Sequence, residues 1–184
     1  MQSQLADVIS DFDAARARLQ QLVKATPESK WSTRRDPNRW SVAECVAHLN
    51  LTSRAYIPRL REAFAGRVAL DPPPRRYRRD LAGWLIGLAV SPMPRIGRFR
   101  FGRMKTAAAF IPSGDLPRAD LVREFDAFQD EQIALTRAED GLPLEQIRIV
   151  SPFNARITYN AYACLWLLPR HQHRHLEQAE DIWR

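Results

Sequence analysis

The C-terminal stretch constrains the fold more than any other part of the chain. Ala161, Cys164, Leu168, His171, His175, Gln178 and Ile182 recur at alternating steps of three and four, the spacing of one buried stripe on an α-helix. Three of the four histidines fall within His171-Gln172-His173-Arg174-His175. On a helix His171 and His175 stand one above the other, while His173 points to another face. A strand would put all three on one face, but the flanks Leu165-Trp166-Leu167-Leu168 and Leu176-Glu177-Gln178-Ala179 carry helix formers and helical period. Two imidazoles therefore enter a stripe meant for core residues. That placement is costly unless something inside the fold binds their nitrogens. A metal would do so, but it needs a third ligand from elsewhere in the chain.

The remaining pattern is also helical. A first helix is expected over 3–23, with Leu5, Val8, Ile9, Phe12, Ala15, Leu19 and Leu22 on its apolar face. Pro27 stops it, and Trp31 to Trp40 reads as a loop anchored by its two tryptophans. Ser41-Val42-Ala43-Glu44 is a capping box that opens a second helix over 41–65. On it Val42, Cys45, Val46, Leu49, Ser53, Tyr56 and Leu60 face inward, and His48 lies at the edge of that stripe, where a neighbouring helix or a cleft would meet it. A third long helix is expected over 117–140, with Leu121, Phe125, Phe128 and Leu135 as its stripe. Gln132 interrupts that stripe, facing either the site or solvent. Ser151-Pro152-Phe153 forms a turn, and a fourth helix over 158–183 is capped near Asn160 and carries Pro169 inside it, where a kink before His171 is expected.

Between the second and third helices, over 66–116, regular periodicity fails except for a short apolar helix at 81–90. Residues 75–105 hold nine basic side chains (Arg75, Arg76, Arg78, Arg79, Arg95, Arg98, Arg100, Arg103 and Lys105) against the single acid Asp80, a net +8. Since the whole chain carries +7, the remainder carries −1, and the basicity is local. Arg95-Ile96-Gly97-Arg98-Phe99-Arg100-Phe101-Gly102-Arg103 reads as an exposed, strand-like or irregular crossing. The segment is too small to bury its own core, so one domain over 1–184 is expected, with 66–116 as a basic insertion. The longest apolar run, Leu81 to Val90, is too short to span a bilayer. Charges at Asp7, Asp11, Asp13, Arg16 and Arg18 break any secretory signal. Two cysteines make no disulfide framework, so a reducing cytoplasm is the expected compartment.

These elements resemble the DinB/YfiT-like superfamily, in particular its DinB-like branch. The resemblance rests on Trp40-Ser41-Val42-Ala43-Glu44-Cys45-Val46-Ala47-His48-Leu49, on Met104-Lys105-Thr106 with Phe110-Ile111-Pro112, on Ser151-Pro152-Phe153, and on His171 to Ala179. It implies an all-α four-helix bundle with a divalent metal (zinc, nickel or iron) at one end, held by His48, His171 and His175. It further implies a homodimer, and in some members thiol S-transfer with a low-molecular-weight thiol as co-substrate. Pro169 and His173 depart from the pattern.

Three neutral imidazoles leave a divalent ion with open positions for water or substrate. The ion would lower the pKa of bound water or hold a substrate thiol as thiolate. A metal-dependent thiol S-transferase or hydrolase acting on a small molecule is therefore the expected function. No residue is singled out as catalytic: the capping box occupies Glu44, and Cys45 serves as a core filler. One alternative is a non-catalytic, metal-stabilised binding or stress module. Another is a polyanion or membrane-surface binder acting through residues 75–105, with Tyr77, Trp84, Phe99 and Phe101 interleaved among the arginines; against it stands a solvated flap. No helix-turn-helix, zinc-finger or RNA-binding signature supports sequence-specific nucleic-acid recognition.

Overall fold

A computed structural model describes residues 1–92, 95–96, 99–100, 106–113 and 117–182. They are mostly helical: α1 (Ser3–Ala25), α2 (Glu28–Trp31), α3 (Val42–Phe64), α4 (Leu81–Val90), α5 (Arg118–Ala138) and α6 (Ala161–Glu180). The long helices α1 and α3 each pack against both α5 and α6, while α4 lies on α6.

Local chemistry fixes the helix starts. The Ser41 hydroxyl accepts from the Glu44 amide at 3.2 Å while the Glu44 carboxylate accepts from the Ser41 amide at 2.8 Å, so α3 begins on the expected capping box. Asn160 accepts from the Ala163 amide at 2.8 Å and opens α6, which runs through Pro169 to Glu180. Trp31 ends the short helix α2 instead of opening a loop, and it is buried.

Two antiparallel ribbons join the helices, one within the crossing expected to be strand-like and one not expected. Arg148–Val150 (β3) pairs with Thr158–Asn160 (β4), placing Ile149 opposite Tyr159 with both side chains buried. Arg95–Ile96 (β1) pairs with Phe99–Arg100 (β2). The sequence reading overlooked β3 and β4 because strands of three residues are too short to establish a period of two. Met104, Lys105 and parts of the basic crossing at 95–103 lie outside the described residues.

The stripe expected on α5 is also corrected. Leu121 and Phe125 are buried, but Gln129, Gln132, Ile133 and Thr136 complete the inner face, while Phe128 and Leu135 are half-buried. Hydropathy counting missed Gln129, and Gln132, expected to face either the site or solvent, is buried on Ser53 instead, because the burial of both amides depends on partners from other helices. On α6 the core-facing line holds as far as His171; His175, Gln178 and Ile182 are half-buried, and Gln172 is buried instead.

The core divides into two apolar clusters. One gathers Phe12, Tyr56, Ile133, Ile149, Tyr159 and Leu168, and the other gathers Ala15, Leu49, Phe125 and Leu176. Each long helix supplies both clusters, and on three of them buried polar residues mark the change: Asn50, Thr52 and Ser53 on α3, Gln129 and Gln132 on α5, His171 and Gln172 on α6. A polar belt thus crosses the interior at one level.

The stretch before α4 is tied to the body of the protein. Tyr77 is buried and stacks on Tyr162 with ring centroids 5.4 Å apart, and its hydroxyl accepts from the Gly141 amide at 3.1 Å. It is thus a core residue, not one of the surface aromatics among the arginines. α4 seats on α6 through Gly83 and Gly87, where an added Cβ would fall inside contact distance of Ala163 and Trp166 respectively. No helix among the described residues is long and apolar enough to cross a membrane.

Candidate metal centre

His48 sits in the second turn of α3, fixed by the capped start of that helix. His171 and His175 sit one turn apart on α6, and the contact between α3 and α6 brings the three together. Ring centroids are 4.5 Å apart for His48 and His175, 4.6 Å for His171 and His175, and 5.2 Å for His48 and His171. One nitrogen from each lies within 4.8 Å of the others. His173 is turned away, its Nε2 3.1 Å from the Asp11 carbonyl of α1.

His48 is 2% exposed, deeper than a stripe-edge position would be. Its Nδ1 lies 2.8 Å from the Phe110 carbonyl, an acceptor, so Nδ1 carries the proton and Nε2 keeps its lone pair. That Nε2 faces His171 Nε2 at 3.4 Å. Two nitrogens bound to one tetrahedral ion at the usual distances stand about 3.4 Å apart, so the pair is already spaced for a shared ion. The Nδ1 atoms of His171 and His175 are fully enclosed without a hydrogen-bond partner, although the His175 residue as a whole is only half-buried. Orphaned polar atoms of this kind are costly in a closed interior.

Electrostatics favour the ligand form. Burial pushes His171 and His175 well below the ordinary imidazole range, and the neighbouring imidazoles and the Arg174 guanidinium push the same way. Burial also lowers His48, with the Phe110 carbonyl pulling back. All three rings are therefore neutral at neutral pH, with lone pairs free for an electrophile. The residues fit a divalent ion.

The surroundings are aromatic. The Trp40 ring lies 4.9 Å from His48 and stacks on His175 at 5.9 Å, while Phe153 stands 6.3 Å from His48 and 6.1 Å from His171. Phe110 packs on Phe153 at 4.1 Å. The loop-anchor reading of Trp40 missed its place as a wall of the site, and the partnership of His48 with the Phe110 carbonyl was not legible at all. Gln132 does not reach the histidines: its amide donates to Ser53 at 3.0 Å and to the Phe128 carbonyl at 3.1 Å. Cys45 is buried outside the cluster, and neither cysteine forms a disulfide.

Glu44 is held away from base chemistry. Burial raises its pKa, but the Arg34 guanidinium and the Ser41 backbone and hydroxyl outweigh that and keep the carboxyl below its usual value. The described residues around the histidines thus supply lone pairs and apolar walls, with no free carboxylate identified among them.

Comparison with known families places this arrangement. The model of the DinB superfamily matches residues 11–179, and the chain belongs to that superfamily. No curated protein and no solved structure is significantly similar to it.

Proposed function

We propose, starting from DinB superfamily membership, that the four long helices form the family's four-helix bundle and that His48, His171 and His175 bind one divalent metal ion within it. The observation that carries this reading is the convergence of three neutral imidazoles, one nitrogen of each lying within 4.8 Å of the others. The reaction it supports best is thiol S-transfer or hydrolysis on a small molecule, with a low-molecular-weight thiol as co-substrate in the first case.

A bound ion supplies Lewis acidity, lowering the pKa of a water or thiol that it contacts. The protein's own residues do the rest. The Phe110 carbonyl holds the Nδ1 proton of His48 and so aims Nε2 inward. Trp40, Phe110 and Phe153 limit water around the imidazoles and offer apolar surface to a substrate. The homodimer and the cytoplasmic setting belong to the same proposal.

Metal analysis of the purified protein tests the site. His171→Ala and His175→Ala are expected to abolish stoichiometric metal, His48→Ala to do nearly the same, and His173→Ala to leave it intact. Loss of metal in His173→Ala but not in His171→Ala would overturn the ligand set. Turnover of an electrophile in the presence of low-molecular-weight thiols then separates an enzyme from a non-catalytic, metal-stabilised module. Metal without turnover of thiol or ester substrates would favour the module.

A further inference from the structure

The helix α4 contains no charged side chain and turns an apolar stripe outward. Leu81, Trp84, Leu85 and Leu88 are 71%, 43%, 53% and 51% exposed, and their spacing puts them on one face. Gly83 and Gly87 occupy the opposite face, pressed to α6. Arg174 fixes the far end by donating to the Ala89 carbonyl at 2.5 Å. The exposed stripe is therefore a consequence of how α4 is seated.

Its surroundings are basic. Arg75, Arg76 and Arg78 precede α4 and are exposed, and Arg79 lies over the Trp166 ring at 3.9 Å. A cavity of about 360 Å³ opens at this end of α4, lined by Arg76, Arg78 and Arg79 together with Leu81 and Trp84. The nearby acids are engaged: Asp80 caps the Gly83 amide and pairs with Arg148, and Glu145 accepts from the Arg78 amide. Five more basic residues follow α4 in sequence, between 95 and 105, with no acid among them.

The geometry points to a docking surface for an anionic lipid bilayer, with α4 lying in the interface, its leucines in the acyl boundary and the arginine-lined cavity taking headgroup phosphates. Leucine with tryptophan on one face and cationic residues beside it is the composition of an interfacial helix. At ten residues α4 is about 15 Å long, enough to lie flat but not to span. A nucleic acid offers nothing to an exposed leucine row. A second copy docked symmetrically through α4 would bring together two copies of a segment that carries +8 over 75–105, a like-charge contact that a lipid phosphate surface reverses. This surface is separate from the histidines: on α6 the residues beneath α4 and the histidine pair are rotated by about 100° from each other.

Co-sedimentation of the full chain with vesicles tests the proposal. Binding is expected to vesicles of phosphatidylglycerol with phosphatidylcholine, to be absent with phosphatidylcholine alone, and to weaken at high salt. Leu85→Glu combined with Leu88→Glu is expected to lower partition roughly tenfold or more, with helical content and metal content unchanged. Should that pair fail to fold, Leu85→Ala with Leu88→Ala gives the same test with a smaller loss. Arg75→Glu with Arg76→Glu is expected to remove much of the preference for the anionic lipid. Absence of binding by the unaltered protein to phosphatidylglycerol vesicles overturns the proposal. Binding that the leucine changes leave intact also overturns it, because the arginines alone would then be acting as a polyanion site. A leucine variant that turns a dimer into a monomer, in a protein that ignores vesicles, assigns the face to a second copy instead.

Discussion

His171 and Gln172 are neighbours on α6 and both are buried, yet the interior treats them differently. Gln172 meets Gln129 of α5 in a reciprocal amide pair, each donating to the other at 2.9 and 3.0 Å, and Gln129 also donates to the Phe12 carbonyl at 3.1 Å. His171 faces His48 nitrogen to nitrogen and packs edge-on to Phe153, and its Nδ1 is enclosed without a partner. The glutamines are complete as they stand and tie α1, α5 and α6 together. The histidines instead turn ring nitrogens on one another. Neither buried polarity nor a single unsatisfied atom marks a site, since Asn50 Oδ1 and Gln132 Oε1 also lack partners; the convergence of several ligand atoms does.

The comparison can be broken most directly at the glutamines. Gln129→Ala leaves the Gln172 amide buried without its partner and takes from the Phe12 carbonyl its second bond, beyond the helical one, and it is expected to cost about 2–4 kcal/mol in urea unfolding while metal content is unchanged. Replacing both glutamines by leucine is expected to recover most of that loss, since two apolar groups leave no orphan. Metal loss in Gln129→Ala without a fall in stability would reverse the roles assigned to the two pairs.

Acid sharpens the comparison next, because only the histidines titrate. In protein stripped of metal by a chelator, His171 and His175 have folded pKa values pushed below the unfolded value near 6.5. The unfolded chain therefore takes up protons first as pH falls. Stability from this source is full above pH 6.5 and falls below it, by about 1.4 kcal/mol per pH unit for each imidazole still neutral in the fold. Urea midpoints between pH 7 and 5 measure the slope, and His171→Leu is expected to reduce it by one proton. A stability flat across that range would mean that the imidazoles are not held neutral.

A smaller effect is expected from His171→Leu on the metal-free protein at neutral pH. Removing an orphaned nitrogen should leave stability unchanged or raise it by about 1 kcal/mol. A loss of several kcal/mol would show that His171 has a structural partner. Smallest is Ser53→Ala, which removes the hydroxyl that accepts from Gln132. It is expected to cost about 1 kcal/mol and to leave metal content untouched; any metal loss would bring Gln132 back toward the site.

How far the sequence anticipates this arrangement depends on how local the signal is. The capping box at Ser41, the Asn160 cap, the helix at Leu81–Val90 and the spacing of His171 and His175 are all local, and the structure has them where the chain suggests. The approach of His48 was legible only through family resemblance, since 123 residues separate it from His171. The Phe110 carbonyl was invisible, because a backbone acceptor carries no residue signature. Gln129 was overlooked for the same reason that Leu135 was overvalued: hydropathy scores a residue alone, whereas the burial of an amide is decided by what it meets.

The seating of α4 has a mechanical consequence. The joint with α6 is formed by subtraction, with two missing side chains one turn apart, and it has no clearance left. A helix held by interlocking side chains can repack around a lost methyl; one fitted flush cannot yield to a gained one. Alanine at Gly83 or Gly87 would act as a shim and tip α4 off its bed, even though the same change in an isolated helix favours helicity by about 1 kcal/mol. Rolling the helix by a single residue would drive Trp84 or Leu88 into α6. The joint therefore works as a key, admitting one rotational setting of α4.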